Sequence, residues 1–126
     1  MRIFKTKWLA RFARREGITD MSLSEAIKRA DQGRIDADLG GGLIKQRVAR
    51  QGKGRSGGYR MIVAYRARRR AVLLFGFAKS ERENVSQDEL LFLRKVAENW
   101  LAADGARIQN ELESGNLQEI ENGDEA

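Results

Sequence analysis

The feature that most constrains the fold is an apolar run, Ala71 to Ala78. If this run is a strand, the residues that point to one face and those that point to the other are apolar alike. A strand with one face in solvent alternates apolar and polar side chains, so this run predicts a central strand that is covered on both faces. A second strand is predicted from Tyr59 to Arg66, and the segment Ala67 to Arg70 between them is predicted to be a tight turn. We therefore expect a hairpin at the centre of a sheet.

Two helices are predicted nearer the N-terminus. Thr6 can cap a first helix, which Gly17 ends. Ser22 and Glu25 have the spacing of a capping box, in which the two side chains accept hydrogen bonds from amides at the helix start, and Gly33 is placed to end this second helix. Apolar residues recur along one face of each segment, so each helix has a stripe that can be buried.

Two strands and a loop are predicted around these elements. Arg2 to Lys5 is short and alternating, which is typical of an edge strand. Leu43 to Ala49 also alternates, and this places Lys45 and Arg47 together on one face. Gln51 to Gly58 contains four glycines, so we expect a loop there rather than paired sheet.

The C-terminal part is predicted to contain a long helix followed by shorter elements. Ser86 and Glu89 form a second capping box, and the helix that follows is expected to be the main apolar cover of the sheet. A weaker helix is predicted from Ala106 to Leu112 and a short strand from Leu117 to Ile120. Residues from Glu121 onward offer little to bury and are expected to be disordered.

Charge is strongly segregated along the chain. Residues 43–82 contain twelve cationic side chains and one carboxylate. From Asp104 onward the chain has seven carboxylates and a single cation, a net charge of −6. Because the whole chain has a net charge of +6, residues 1–103 have a net charge of +12. We therefore predict a basic domain, residues 1–103, and an acidic extension, residues 104–126, which either is a solubilising tail or folds back to screen part of the basic surface.

Missing residue types exclude several kinds of chemistry. The chain has no Cys and no His, which excludes disulfides, thiolate nucleophiles, Cys-based zinc sites and histidine proton shuttles. No apolar run approaches the roughly 18 residues of a membrane span, and charged residues interrupt the N-terminus before a secretion signal could form. We expect a soluble, cytoplasmic protein with no membrane contact, whose basic domain binds phosphates in a salt-sensitive way.

Three segments in the middle of the chain carry a recognisable pattern: residues 43–50 (LIKQRVAR), 52–60 (GKGRSGGYR) and 75–82 (FGFAKSER). This pattern resembles the RelE/ParE toxin superfamily, and most closely the HigB-like RelE toxins, over residues 2–103. The resemblance implies a RelE-like α+β fold: a twisted, mainly antiparallel sheet with N-terminal helices packed on one side and a C-terminal helix. It also implies a toxin that cuts messenger RNA on the ribosome and is held inactive by a cognate antitoxin.

Matching of the motif positions implies which residues form the site. Arg60 matches the phosphate clamp, and Lys79 and Lys45 match further catalytic cations. The residues that would contact flanking phosphates or ribosomal RNA are Arg47, Lys53, Arg55 and Arg82.

The reaction that this site would catalyse needs neither a metal nor another cofactor. RNA supplies its own nucleophile, the 2′-hydroxyl, and the protein must stabilise the phosphorane and protonate the leaving 5′-oxygen. Forked guanidinium donors suit the first of these tasks. Because the chain has no His, Lys79 or Lys45 is the expected proton carrier, and Glu81 a weaker one.

Two other functions stay open at this point. A ParE-like toxin of the same fold inhibits DNA gyrase by binding and needs no catalytic residues, and a noncatalytic nucleic-acid-binding module would also explain the charge. The cations at matching motif positions favour cleavage. Against a simple binding module, the sequence shows neither a helix-turn-helix recognition helix nor a ladder of aromatic residues.

Overall fold

The computed structural model describes residues 1–50 and 54–121, with residues 54–56 described by their backbone alone. The elements follow the order β1 (Arg2–Thr6), α1 (Lys7–Glu16), α2 (Asp20–Asp31), β2 (Ala37–Gly40), β3 (Leu43–Arg50), β4 (Gly54–Arg66), β5 (Arg70–Ala78), α3 (Gln87–Ala102), α4 (Gly105–Glu113) and β6 (Leu117–Ile120). This order confirms the predicted α+β class.

The strands of the described residues form one sheet in the order β2-β3-β4-β5-β1-β6. Strand β1 runs parallel to β5, and the other neighbouring pairs are antiparallel. Strand β5 lies inside the sheet and is buried on both faces, as its apolar run predicts. The predicted edge position of Arg2 to Lys5 is wrong, because Leu117–Ile120 pairs along the outer side of β1 and takes the edge.

Helices cover both faces of the sheet. Helices α1 and α2 pack on one face, where Phe12 and Ile27 belong to one buried cluster with Ile3 of β1. Helices α3 and α4 pack on the opposite face, where Leu93 belongs to a second cluster with Phe4. Adjacent residues of β1 thus enter different cores, as strand alternation requires. The N-terminal helices lie on one side of the sheet, as predicted.

The N-terminal helix caps agree with the sequence prediction in two of three cases. The Thr6 hydroxyl accepts a hydrogen bond from the amide of Leu9 and begins α1, and α3 begins with the capping box predicted from Ser86. The predicted start of α2 at Ser22 is wrong. Thr19 caps this helix instead, by accepting from the amide of Ser22, and the Glu25 carboxylate is paired with Arg29.

The glycine-rich segment is partly paired. We expected a loop over Gln51–Gly58, but β4 begins at Gly54, which pairs with Arg50 beyond an irregularity in β3. Residues 51–53 lie outside the described part of the chain. A Cβ on Gly58 would lie 2.2 Å from the carbonyl oxygen of Val48, so glycine is required there by the close approach of the two strands.

The weaker helix and the short C-terminal strand are both present, as α4 and β6. Strand β2 has no counterpart in the sequence prediction. The prediction of disorder from Glu121 onward falls mostly on residues 122–126, which are outside the described residues. In the part of the chain that the structure describes, none of the helices is both long and apolar enough to span a bilayer.

Candidate functional site

Four of the seven predicted cations line a cavity of about 280 Å³ at one end of the sheet, on the face that α3 covers further along. Strand β3 supplies Lys45 and Arg47, β4 supplies Arg60, and Lys79 directly follows β5. The remaining lining residues come from the segments before β2 and before α3: Asp36, Ala37, Glu83 and Asn84. Arg60 and Lys79 therefore line one cavity, which is the convergence that phosphate chemistry requires.

Strand register explains this convergence. Arg47 is directly opposite Arg60, and Arg60 is directly opposite Phe77 on β5, so these three side chains form one row on one face. Lys79 is two residues beyond Phe77, just past the end of β5, and lines the same cavity. Its amide donates to the carbonyl oxygen of Gly58 at 2.9 Å, which holds Lys79 beside β4.

Arg60 is a buried cation, with 8% of its surface exposed. One of its guanidinium nitrogens, Nη1, donates to the carbonyl oxygen of Tyr59 at 3.3 Å. Burial lowers the pKa of Arg60, the neighbouring charge of Arg47 lowers it further, and the Asp36 carboxylate opposes both. Because an arginine stays protonated at physiological pH, the wall of the cavity holds a permanent charge beside a second cation, an arrangement that an anion would relieve.

A network at the start of α3 positions Lys45. The Lys45 Nζ donates to the Asn84 side-chain oxygen at 2.7 Å. The carbonyl oxygen of Asn84 accepts from Arg82 Nε at 3.1 Å and Nη2 at 2.9 Å. Arg82 also forms an ion pair with Glu89, whose side chain accepts from the amide of Ser86 at 2.7 Å. Arg82 does not line the cavity and instead fixes the segment that carries Asn84.

Asp36 is anchored on the other side of the cavity. Its Oδ2 accepts from the amide of Arg47 at 2.7 Å and from Arg29 Nη1 at 3.2 Å. Its own amide donates to Oε1 of the fully buried Gln46 at 2.7 Å. Burial alone would raise the pKa of Asp36, but the hydrogen bonds from Arg47 and Arg29 outweigh it and hold the pKa below the ordinary value.

A comparison with models of known protein families identifies the family of this chain. A family model described as "RelE toxin of RelE / RelB toxin-antitoxin system" matches residues 1–120. The chain belongs to the RelE toxin family. The predicted resemblance to the RelE/ParE toxin superfamily is thereby confirmed, whereas the likeness to HigB-like toxins stays a prediction. Membership in a toxin-antitoxin family implies a cognate antitoxin as partner. A search of curated proteins gave no match.

Neither tyrosine of this RelE-family chain lines the cavity. Tyr59 and Tyr65 belong to the core beneath α1 and α2, on the opposite face of the sheet. The Tyr59 hydroxyl donates to Glu16 Oε1 at 3.1 Å, and the Tyr65 hydroxyl donates to Asp31. Burial raises the pKa of both phenols above the ordinary value, and the hydrogen bonds to these carboxylates raise it further.

Sequence reasoning missed the acidic side of the site. It named Glu81 as a proton carrier, but Glu83 lines the cavity and Glu81 does not. The segment that follows β5 has no periodic pattern from which its path could be read, and its course depends on the contact between Arg82 and Glu89. Asp36 likewise follows a helix end in a segment with no predicted element. Among the described residues, no group of three or more acidic side chains is placed to hold a metal ion.

Several predicted contacts lie elsewhere or cannot be placed. Lys53 is outside the described residues, and so is the side chain of Arg55. The acidic extension does not cover the cavity with any of its described residues, 104–121, because β6 lies at the edge of the sheet far from β3. Within the described extension, Glu119 pairs with Arg2 of the basic domain. That the extension screens part of the basic surface stays a prediction.

Proposed function

We propose that this RelE-family toxin is a ribosome-dependent endoribonuclease that cleaves messenger RNA by attack of the 2′-hydroxyl, without a metal. The observation that carries the proposal is the convergence of Lys45, Arg47, Arg60 and Lys79 on one cavity of about 280 Å³. A phosphodiester is the ligand that such a set of fixed positive charges would attract.

Arg60 is assigned the role of phosphate clamp. Its guanidinium is held in a buried wall, so its charge acts in a medium that screens it less than water does. In the reaction the 2′-oxygen forms a bond to phosphorus, the bond from phosphorus to the 5′-oxygen breaks, and a 2′,3′-cyclic phosphate results. Negative charge grows on the phosphoryl oxygens between these events, and Arg60 with Lys79 would stabilise it.

Proton transfer is assigned to the lysines and to the carboxylate of the cavity. The 2′-hydroxyl must lose a proton and the departing 5′-oxygen must gain one. Glu83, which lines the cavity beside Asn84, would accept the first proton, and Lys79 would donate the second. Lys45, oriented by Asn84, would hold the scissile phosphate in line with the attacking oxygen.

The proposal includes the ribosome because the 2′-hydroxyl must be bent into line with the scissile bond. The described residues that line the cavity include charged groups but no aromatic side chain on which a base could stack. Such a site gains from a substrate that is already held in a distorted conformation. The reaction would take place in the cytoplasm, where translating ribosomes are found.

Primer extension on messages from a reconstituted translation system tests this function. Codon-phased cuts with wild type, none with Arg60→Ala, and undiminished cuts with the exposed control Arg69→Ala would support it. Intact messages under active translation would contradict it. If expression in cells then induced a DNA-damage response, the gyrase-directed alternative would replace it.

A further inference from the structure

A second cavity, of about 350 Å³, adjoins the first. It is lined by Arg29, Arg34, Asp36 and Arg47. Asp36 and Arg47 line both cavities, so the two meet across this pair of residues. A ligand that fills the first cavity can therefore continue into the second past Arg47.

The back wall of this second cavity is held rigid by Arg29, whose side chain is 5% exposed. Its Nε donates to Glu25 Oε2 at 3.1 Å, its Nη1 donates to Asp36 Oδ2 at 3.2 Å, and its Nη2 donates to the carbonyl oxygen of Arg47. Every nitrogen of this guanidinium thus has a protein partner. Arg29 fixes the wall and is not itself a ligand-binding group.

Gln46 fixes the segment that carries Arg34. Its amide nitrogen donates to the carbonyl oxygens of Ala26 at 2.9 Å and Arg34 at 3.3 Å, and its oxygen accepts from the amide of Asp36 at 2.7 Å. Because Gln46 is fully buried in β3, the position of the Arg34 backbone relative to the strand is set from inside the protein. The rim of the cavity is preformed.

The charge that remains accessible is positive. Two carboxylates, Glu25 and Asp36, offset the charge of Arg29, and Asp36 Oδ2 already accepts two hydrogen bonds. Arg34 is exposed and donates to the neutral side chain of Gln32. Within the described residues, neither Arg34 nor Arg47 forms an ion pair with a carboxylate. Two guanidinium groups are therefore available to an incoming anion.

We propose that this second cavity is a phosphate-binding subsite for the nucleotide adjacent to the cleaved linkage. Arg34 would bind the phosphate in this subsite, and Arg47 would contact both this phosphate and the scissile one. The proposal rests on the proposed nuclease function and extends it. Successive phosphates of a single strand are neighbours along the chain, as the two cavities are neighbours across Arg47. The subsite would fix the register of the RNA, because a strand bound at two phosphates cannot slide past the clamp at Arg60.

The test measures binding of 2′-O-methyl dinucleotides, which cannot be cleaved, by NMR titration of the full-length chain. Three ligands are compared: the dinucleotide with one internal phosphate, and the same dinucleotide with an added 5′- or 3′-terminal phosphate. One of the two added phosphates is expected to strengthen binding roughly fivefold, the size of an exposed charge pair. The end at which the gain appears identifies the direction in which the RNA runs.

Arg34→Gln is expected to remove this gain and to leave binding of the unphosphorylated dinucleotide unchanged, whereas Arg34→Lys keeps part of it. The control Arg69→Gln removes the same charge from the exposed turn at the far end of the hairpin and is expected to retain the full gain. A gain that survives Arg34→Gln, falls equally in both variants, or is absent at both ends overturns the subsite. If the unphosphorylated dinucleotide binds equally well to Arg60→Ala, the primary site fails, and the subsite fails with it.

Discussion

Two buried polar side chains, one hydrogen-bonded and one without a partner among the described residues, provide a test of how the segment beside the cavity is held in place. Gln46 makes three hydrogen bonds to backbone groups, whereas the Ser24 hydroxyl, which is also buried, has no partner among the described residues. We predict that Gln46→Leu destabilises the protein and that Ser24→Ala does not. The two changes are matched in burial and differ in what they leave unpaired.

The magnitudes follow from the groups involved. Gln46→Leu leaves the amide of Asp36 without its acceptor, at a cost of about 2 kcal/mol, while the carbonyl oxygen of Ala26 keeps its partner within α2. Ser24→Ala removes an unpaired hydroxyl from α2 and is expected to be neutral or to stabilise by about 1 kcal/mol.

Urea unfolding of the purified toxin, freed of antitoxin because a bound partner raises apparent stability, gives both values. With a slope of about 2 kcal/mol per molar urea, the midpoint of Gln46→Leu should fall by roughly 1 M. Equal losses for the two variants, or a Gln46→Leu midpoint at the wild-type value, would refute this view of how the segment around Asp36 is held.

Three further predictions concern the elements that border the cavity. The Arg82 guanidinium and the amide at the start of α3 hold the pKa of Glu89 at about 2, below its ordinary value of 4.5. The stabilisation of the folded protein by this ionised carboxylate is therefore complete above pH 4.5 and is lost as the pH falls towards 2. Glu89→Gln should flatten the pH dependence of the unfolding free energy in that window. An unaltered dependence between pH 4.5 and 2 would count against the ion pair. Gly58→Ala should lower the free energy of unfolding by about 2 kcal/mol or more, because its Cβ would lie 2.2 Å from a carbonyl oxygen of β3. A urea midpoint at the wild-type value would show that β3 and β4 do not approach so closely. Asn84→Ala removes the acceptor of Lys45 and should slow messenger RNA cleavage about fivefold with an unchanged unfolding midpoint; equal rates would mean that Lys45 needs no positioning.

Local signals in the sequence predicted local structure well. The capping box at Ser86 and Glu89 is formed as predicted because its partners are three residues apart. The run from Ala71 to Ala78 identified the inner strand because burial on both faces requires apolar side chains at every position. The alternation around Lys45 and Arg47 likewise placed both cations on one face, since strand geometry alone decides this.

Features that depend on distant contacts were not predictable in the same way. Strand β1 is not at an edge because a strand more than 110 residues later in the chain pairs with it. The first predicted capping box failed because Thr19, three residues earlier, competes for the same amide at Ser22. The place of Asp36 in the cavity depends on its bond to Gln46, ten residues away, which no periodicity reveals.

The central claim is that Arg60 acts on a phosphodiester from a buried wall, and single-turnover cleavage of ribosome-bound message by Arg60→Met tests it most directly. Methionine preserves much of the buried volume and relieves a cation that is desolvated next to Arg47, so the unfolding free energy should stay within about 1 kcal/mol of wild type. The cleavage rate should fall at least about 100-fold, the loss expected when one preorganised donor to a developing charge is removed. A stable Arg60→Met variant that cleaves at the wild-type rate would contradict the account.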